Sequence, residues 1–186
     1  MTENEQILAL EEIKKLKARY FRTLDTKDWA GYLDVFTPDA IIDSTEAYTP
    51  KTLAGERIVF DGVTAPEPDP TWHSHGNPIP VDGAPPPAPD PAWRSDDIAA
   101  FVKELSQTLA GVVTVHHGHM PEITLTSPTT ATGIWSMEDM LRWPKGSPIR
   151  EMHGYGHYRE TYERLAVGWR IKSLKLTRLR VDTVRD

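Results

Sequence analysis

Residues 112–143 read VVTVHHGHMPEITLTSPTTATGIWSMEDMLRW, and the fold turns on how this stretch is understood. Val112–Thr126 and Thr130–Trp143 each carry the β-branched and aromatic residues of a strand, with turn chemistry, Ser127-Pro128, between them. The pair predicts an antiparallel hairpin. Its first arm holds three histidines, His116, His117 and His119, in a segment otherwise written as strand. Imidazole can take or give a proton near neutral pH, and a strand fixes the direction of that group better than a loop does.

Outward from the hairpin, two further strand-like segments follow, Glu151–Leu165 and Trp169–Thr183, joined through Pro144-Lys145-Gly146 and Val167-Gly168. Short connections between successive strands predict an antiparallel meander. Toward the N-terminus, Ile7, Leu10, Ile13, Leu16, Tyr20 and Leu24 recur every three or four residues, which predicts a helix over 4–24. A second helix is expected over Lys27–Phe36, capped by Thr26 and stopped at Thr37-Pro38-Asp39, then a short strand, Ala40–Ser44. Ser95 is expected to cap a helix over Asp96–Leu109. Helices first and strands last give an α+β class. The expected architecture is a cone: a curved mixed or antiparallel sheet wrapped on N-terminal helices around an internal pocket. Val63–Ala92 holds ten of the sixteen prolines and reads as a loop insertion within one domain spanning residues 1–186.

Composition narrows the function classes. A formal charge of −6 argues against a nucleic-acid partner. Without cysteine there is neither a disulfide framework nor a thiolate nucleophile. The opening MTENEQILALEE lacks a cationic segment leading into an apolar core, and no window approaches a membrane span. A cytoplasmic protein with no membrane partner is therefore expected. No G-x-S-x-G elbow and no phosphate-cradling glycine loop is present, so neither a serine hydrolase nor a nucleotide site is expected. His117 with His119, and His73 with His75, have H-x-H spacing, but no third ligand suggests itself and no metal is expected.

Periodicity places several polar groups on core-facing positions. Tyr20 lies in the helix stripe, and either His116 or His117 points inward. Asp139 shares a strand face with Gly133, Trp135, Met137 and Leu141, while Arg178 shares one with Leu174 and Leu176. Buried charge is costly unless paired, so convergence of these groups is the economical arrangement. Each has a plainer alternative. Tyr20 can be core with its hydroxyl at the rim, and Asp25 can be a turn or cap residue. Glu138 replaces Asp139 if the strand phase is inverted, and Arg178 can be a rim residue. Trp135, Met137 and Tyr158 are candidates for a wall suited to a flat apolar ligand, or ordinary core.

Two blocks carry a family resemblance. One is EEIKKLKARYFRTLDTKDW (Glu11–Trp29); the other runs from HHGHMPEITLTSPTTATGIWSMEDML (His116–Leu141) to GWRIKSLKLTRLRV (Gly168–Val181). With the patterns H-x-G-H-x-P-E-I, A-T-G-x-W and W-x-I-K, the chain resembles the SnoaL-like branch of the nuclear-transport-factor-2-like superfamily. It is especially similar to the bile acid 7α-dehydratase and scytalone dehydratase group. The resemblance implies a cone-shaped, cystatin-like α+β barrel and a cofactor-independent lyase acting on a small hydroxylated apolar or aromatic substrate. It puts the family's tyrosine on Tyr20, its helix-end aspartate on Asp25, its histidine on His116, its second aspartate on Asp139 and its arginine on Arg178. His119 matches a further histidine near the pocket. Position 117 is apolar in the bile acid enzyme and histidine here, and the proline-rich insertion has no counterpart, so a bile acid substrate does not carry over. Dehydration is the expected reaction. Loss of formaldehyde from an aromatic diol, isomerisation with the same base, and non-catalytic ligand binding or oligomerisation are the alternatives. A homo-oligomer is expected, a trimer ahead of a dimer.

Overall fold

Helix α1 (Glu3–Asp25) starts where a cap permits it. The Thr2 side chain accepts from the Glu5 backbone and the Glu5 carboxylate accepts from the Thr2 backbone, satisfying two otherwise orphaned donors. Its buried face is Ala9, Ile13, Leu16, Lys17, Tyr20, Thr23 and Leu24, which keeps Ile13, Leu16, Tyr20 and Leu24 of the predicted stripe and adds a cation. Ile7 is exposed and Leu10 only half-buried, because the first turns of the helix extend past the sheet face. The helix ends because Lys27 adopts φ 59°, a left-handed conformation that no α-helix continues through. The second helix, α2 (Trp29–Leu33), is thus shorter than expected and is capped by Asp28, whose carboxylate accepts from Gly31, rather than by Thr26. These features come from a computed structural model that describes residues 1–47, 93–147 and 149–184. The expected proline-rich insertion, with His73 and His75, lies outside the described residues.

Strand β1 (Phe36–Glu46) runs through Pro38, although the sequence predicts a strand only from Ala40. The pairing of β1 with its neighbour is irregular between Phe36 and Ile41, which accommodates a residue with no N–H to donate. After the two-residue strand β2 (Arg94–Ser95), helix α3 (Ile98–Thr108) is capped by Asp97, not Ser95. Ser95 instead accepts from the Asp97 backbone one step earlier. The meander follows as predicted: β3 (Val113–Leu125), β4 (Thr130–Arg142), β5 (Glu151–Leu165) and β6 (Gly168–Val184).

These strands form one open six-stranded sheet in the order β2-β1-β6-β5-β4-β3. All pairings are antiparallel except β1 with β6, so the sheet is mixed. The sheet curves around the N-terminal helices, with α1 packed on β3 and β6 and α3 on β1. Two-residue alternation sorts each strand: on β5, Met152, Gly154, Gly156, Tyr158, Glu160 and Tyr162 are all buried on the inner face. The main core joins that face to the helices through Leu16 and Tyr20 of α1, Tyr32 of α2 and Ile98 and Val102 of α3, packed with Phe36, Trp135, Tyr158 and Ile171. No helix among the described residues is long and apolar enough to cross a membrane.

Candidate active site

The last residue of α1 meets the histidine strand. Asp25 Oδ2 accepts from the His116 backbone N–H at 2.8 Å, and Oδ1 lies 2.6 Å from His116 Nδ1. A carboxylate has no proton to give, so Nδ1 carries the hydrogen, and in the neutral imidazole Nε2 then carries the lone pair. The Thr114 hydroxyl, two residues before His116 and on the same strand face, donates to Asp25 Oδ1 at 2.8 Å. Burial alone would raise the Asp25 carboxyl. The hydrogen bonds from the His116 ring and backbone, the charge of His116 and the Thr114 hydroxyl outweigh it, holding the group below its ordinary range.

The other ring nitrogen points to β4. His116 Nε2 is 3.9 Å from Asp139 Oδ2, beyond hydrogen-bond reach, so its lone pair is not spent on that neighbour. Asp139 is instead clamped by Arg178, whose two terminal nitrogens donate at 2.7 and 2.6 Å. Both side chains of this bidentate pair are 4% exposed. The pair spans β5, because Asp139 stands opposite Gly154 on one side and Arg178 opposite Gly156 on the other. A Cβ at Gly154 would collide with both the carboxylate and the guanidinium. A missing side chain in mid-strand therefore lets two charges meet across a strand.

Tyr20 is buried one helical turn above Lys17 and packs against Phe21, Tyr32, Phe36 and Tyr158. Its hydroxyl interacts with those of Tyr32 and Tyr158. Burial, reinforced by the neighbouring tyrosines, pushes the Tyr20 phenol well above its ordinary value. Tyr158 is raised in the same way, by burial and then by the Asp139 charge. Both stay protonated and act as donors. Trp135, Met137 and Tyr158 share the inner face with them, and Met137 Sδ lies 3.6 Å from an Arg178 nitrogen.

The structure thus brings Asp25, His116, Asp139 and Arg178 into one contact chain, with Tyr20 linked to it through Tyr158. Periodicity leaves open which of His116 and His117 turns inward and which of Glu138 and Asp139 does; the inward residues are His116 and Asp139. His119 is not brought to the group. Strand alternation sends it to the same side as His117, where its side chain is 57% exposed and its Nε2 lies 3.9 Å from Glu138. Glu138 also receives His117 at 3.3 Å and His153 at 3.1 Å. Among the described residues no set of three or more His, Asp or Glu is arranged to hold a metal ion.

Sequence reasoning misses four inner-face groups, Lys17, Glu160, Thr114 and Tyr32. Lys17 and Glu160 form a fully buried ion pair at 2.5 Å, with the Tyr162 hydroxyl also donating to Glu160. The Trp135 indole N–H donates to Tyr162 at 2.7 Å, so Trp135 presents only its ring to the interior. Lys17 falls in the α1 stripe, and Glu160 shares the β5 phase of Tyr158, so the periodicity that finds Tyr20 extends to both. Thr114, in phase with His116, is equally within its reach. Tyr32 lies in the short α2, where no periodicity develops.

Comparison with known proteins agrees with this frame. The SnoaL-like domain family matches residues 5–84 and 88–175. A candidate scytalone dehydratase from Novosphingobium aromaticivorans superimposes with a TM-score of 0.68 at 15% identity, covering 100% of this chain and 93% of its own. A hexachlorocyclohexane dehydrochlorinase from Novosphingobium barchaimii gives 0.65 at 10% identity, covering 98% and 94%. A protein of unknown function with a cystatin-like fold from Nostoc punctiforme gives 0.53 at 12%, covering 92% and 91%. At these identities the structural likenesses establish the fold, and the sequence match establishes membership. The chain belongs to the SnoaL-like domain family.

Proposed function

We propose that this protein is a cofactor-independent lyase, a dehydratase that removes water from a hydroxylated apolar small molecule, steroid-like or aromatic. The observation that carries the reading is the geometry of His116: Nδ1 is locked by Asp25, while Nε2 has no hydrogen bond from the described residues and lies beside the Arg178-clamped Asp139. Such a nitrogen is a positioned general base.

In the proposed reaction His116 Nε2 takes a proton from a carbon made acidic by an adjacent carbonyl or phenol-conjugated centre. The C–H electron pair becomes the new double bond as the neighbouring C–O bond breaks. The departing hydroxide takes the proton back from the imidazolium and leaves as water, which regenerates the starting imidazole. Asp25 holds the tautomer and, with Asp139, stabilises the transient imidazolium. Tyr20, kept protonated by burial, donates to the developing enolate oxygen or to the departing hydroxyl. Arg178 fixes the Asp139 carboxylate beside the imidazole. Trp135, Met137 and Tyr158 supply flat apolar walls.

The test is incubation of the purified protein with hydroxylated steroid-like and aromatic alcohols, followed by mass spectrometry. Loss of one water supports dehydration, unchanged mass with altered retention points to isomerisation, and released formaldehyde points to carbon–carbon cleavage. His116→Ala is expected to lose about 10²–10⁴-fold in kcat with its circular dichroism unchanged. Normal turnover by that variant rejects the assignment.

We also propose that the protein is a homo-oligomer, a trimer before a dimer, because the outer sheet face leaves Val113, Val115 and Met140 exposed beside the His117–Glu138 pair. Light scattering on the purified chain gives the mass directly, and a monomer at micromolar concentration rejects it.

A further inference from the structure

Lys27 has the one positive φ among the non-glycine residues described, and it immediately follows the Asp25 helix end. A lysine gains nothing intrinsically from a left-handed backbone, where asparagine or glycine is at home. Strain of this kind persists where the surroundings over-determine it, often beside a functional site. Here the turn aims the Lys27 ammonium at β3, where Nζ donates to Thr114 Oγ1 at 2.6 Å. With its hydroxyl oxygen accepting from the lysine, Thr114 directs its single proton to Asp25 Oδ1 at 2.8 Å. That same oxygen receives the His116 Nδ1–H at 2.6 Å, while Oδ2 is held by the His116 backbone. Each link has its direction fixed by the one before it: an ammonium can only donate, so the hydroxyl must point onward, and the carboxylate must accept.

We propose that Lys27 and Thr114 are positioning residues, the outer half of a Lys27–Thr114–Asp25–His116 relay that keeps Asp25 an anionic acceptor and so fixes which nitrogen of His116 faces the interior. The relay connects a half-exposed cation at the protein's rim to a histidine side chain that is 7% exposed. It also gives the Lys27 backbone strain a purpose, because a right-handed residue at 27 would continue the helix and carry its side chain away from β3. The charged and titratable groups around the dyad are Lys27 from the turn, Asp139 from β4 and Arg178 from β6. Of these, Lys27 reaches Asp25 through Thr114, whereas Asp139 and Arg178 face the other side of the imidazole. A simpler role for Lys27 is to close the end of α1, since Nζ also lies 3.4 Å from the Leu24 carbonyl. That role predicts a change in stability and none in Asp25.

The experiment follows the Asp25 carboxyl by carbon-13 NMR titration in the full chain, with the low-field Nδ1–H proton of His116 as a second signal. It needs no substrate, so its outcome is independent of the reaction assigned above. Thr114→Val removes the donor to Asp25 at nearly constant shape, and the carboxyl midpoint is expected to rise by about one pH unit. Lys27→Asn keeps a residue that tolerates the left-handed conformation but removes the charge; here the rise is about half a pH unit, reduced by solvent screening. Thr114→Ser and Lys27→Arg should return the midpoint to within about 0.2 pH unit of the parent. A midpoint unmoved in Lys27→Asn overturns the relay, whatever happens to the melting temperature. So does a conservative variant that fails to restore it. Should Thr114→Val not fold, the Lys27 pair alone decides, because that side chain is only partly buried.

Discussion

Two ionic clusters sit on the inner face of this sheet beneath α1, and they differ in what they leave unpaired. In the lower one, Lys17 and Glu160 are both 0% exposed; Glu160 also takes the Tyr162 hydroxyl, and Tyr162 takes the Trp135 indole. The ammonium is further covered by the rings of Tyr20 and Tyr158, each 3.8 Å away at its centroid. In the upper one, Asp25 is 22% exposed and His116 Nε2 stands 3.9 Å from the nearest carboxylate oxygen. Both clusters are costly to bury. A polar cluster can do chemistry only if one reactive atom is left unsatisfied within reach of a ligand. By that criterion the lower cluster is architecture and the upper one is the site proposed above.

The comparison breaks if the two clusters respond alike to mutation. His116→Ala should abolish most turnover, by about 10²–10⁴-fold, while leaving the melting temperature nearly unchanged. Glu160→Gln should do the reverse. It leaves an ammonium in a dry interior without its counter-ion, a change that costs about 3–5 kcal/mol. Chemical denaturation would register that loss, and turnover per folded molecule should stay within a few-fold of the parent. The double variant Lys17→Met/Glu160→Leu should recover most of the stability, since a packed apolar pair is often as good as a buried ionic one. A Glu160→Gln protein of parental stability would mean that the pair is not buried as described.

The same contrast can be sharpened with pH. Burial pushes the Lys17 ammonium down from 10.5 to about 8, with the Glu160 charge and hydrogen bond opposing only part of that fall. Between those values the unfolded chain binds a proton that the folded chain has released. Unfolding therefore takes up a proton, and stability rises with pH from about 8. The rise has an upper bound. Burial holds Tyr20, Tyr158 and Tyr162 protonated in the fold, whereas the unfolded chain loses those protons near 10.0. Stability should thus climb by roughly 2–3 kcal/mol between pH 8 and 10 and then fall. The double variant lacks Lys17 and should show only the fall. A parental curve that is flat or declining from pH 8 would mean that burial does not lower the Lys17 ammonium in the fold.

What can be read from sequence tracks how strictly each segment obeys a period. The α1 stripe and the four long strands repeat over many residues, so their existence follows from the spacing of residues alone, and so does the choice of inward candidates. The spacing leaves the phase open between His116 and His117 and between Glu138 and Asp139. Short elements escape. A cap at Thr26 fails because nothing in Thr26-Lys27-Asp28 announces that the lysine turns left-handed, and the end of α1 depends on that one residue. Pro38 suggests a stop, yet an irregular parallel pairing to β6 absorbs it inside a strand. Resemblance carries His119 to the pocket, whereas the alternation from His116 places it outside. The buried Lys17 is legible from its position in the stripe, but a lysine among the charges of EEIKKLKAR reads at first as part of a solvated face.

The smallest effect tests the feature that is hardest to see from charges alone. Gly154-Tyr155-Gly156 interrupts a strand that packing would otherwise fill, and its first glycine lies directly under the Asp139–Arg178 pair. Gly154→Ala adds one carbon where the guanidinium and carboxylate meet, so one of the two must swing away. Overpacking of this order costs about 1–3 kcal/mol. The cost should reach catalysis as well as stability, because a displaced Asp139 no longer flanks His116 Nε2 and a released Arg178 alters the charge there. A loss in kcat/KM of about tenfold or more, in a protein that still melts cooperatively, is the expected outcome. Thr161→Ala serves as the control, since Thr161 lies farther along β5 and faces solvent, paired with Ser173 at 2.7 Å. If both substitutions cost the same activity, strand rigidity and not the crossing ion pair is what the glycine protects.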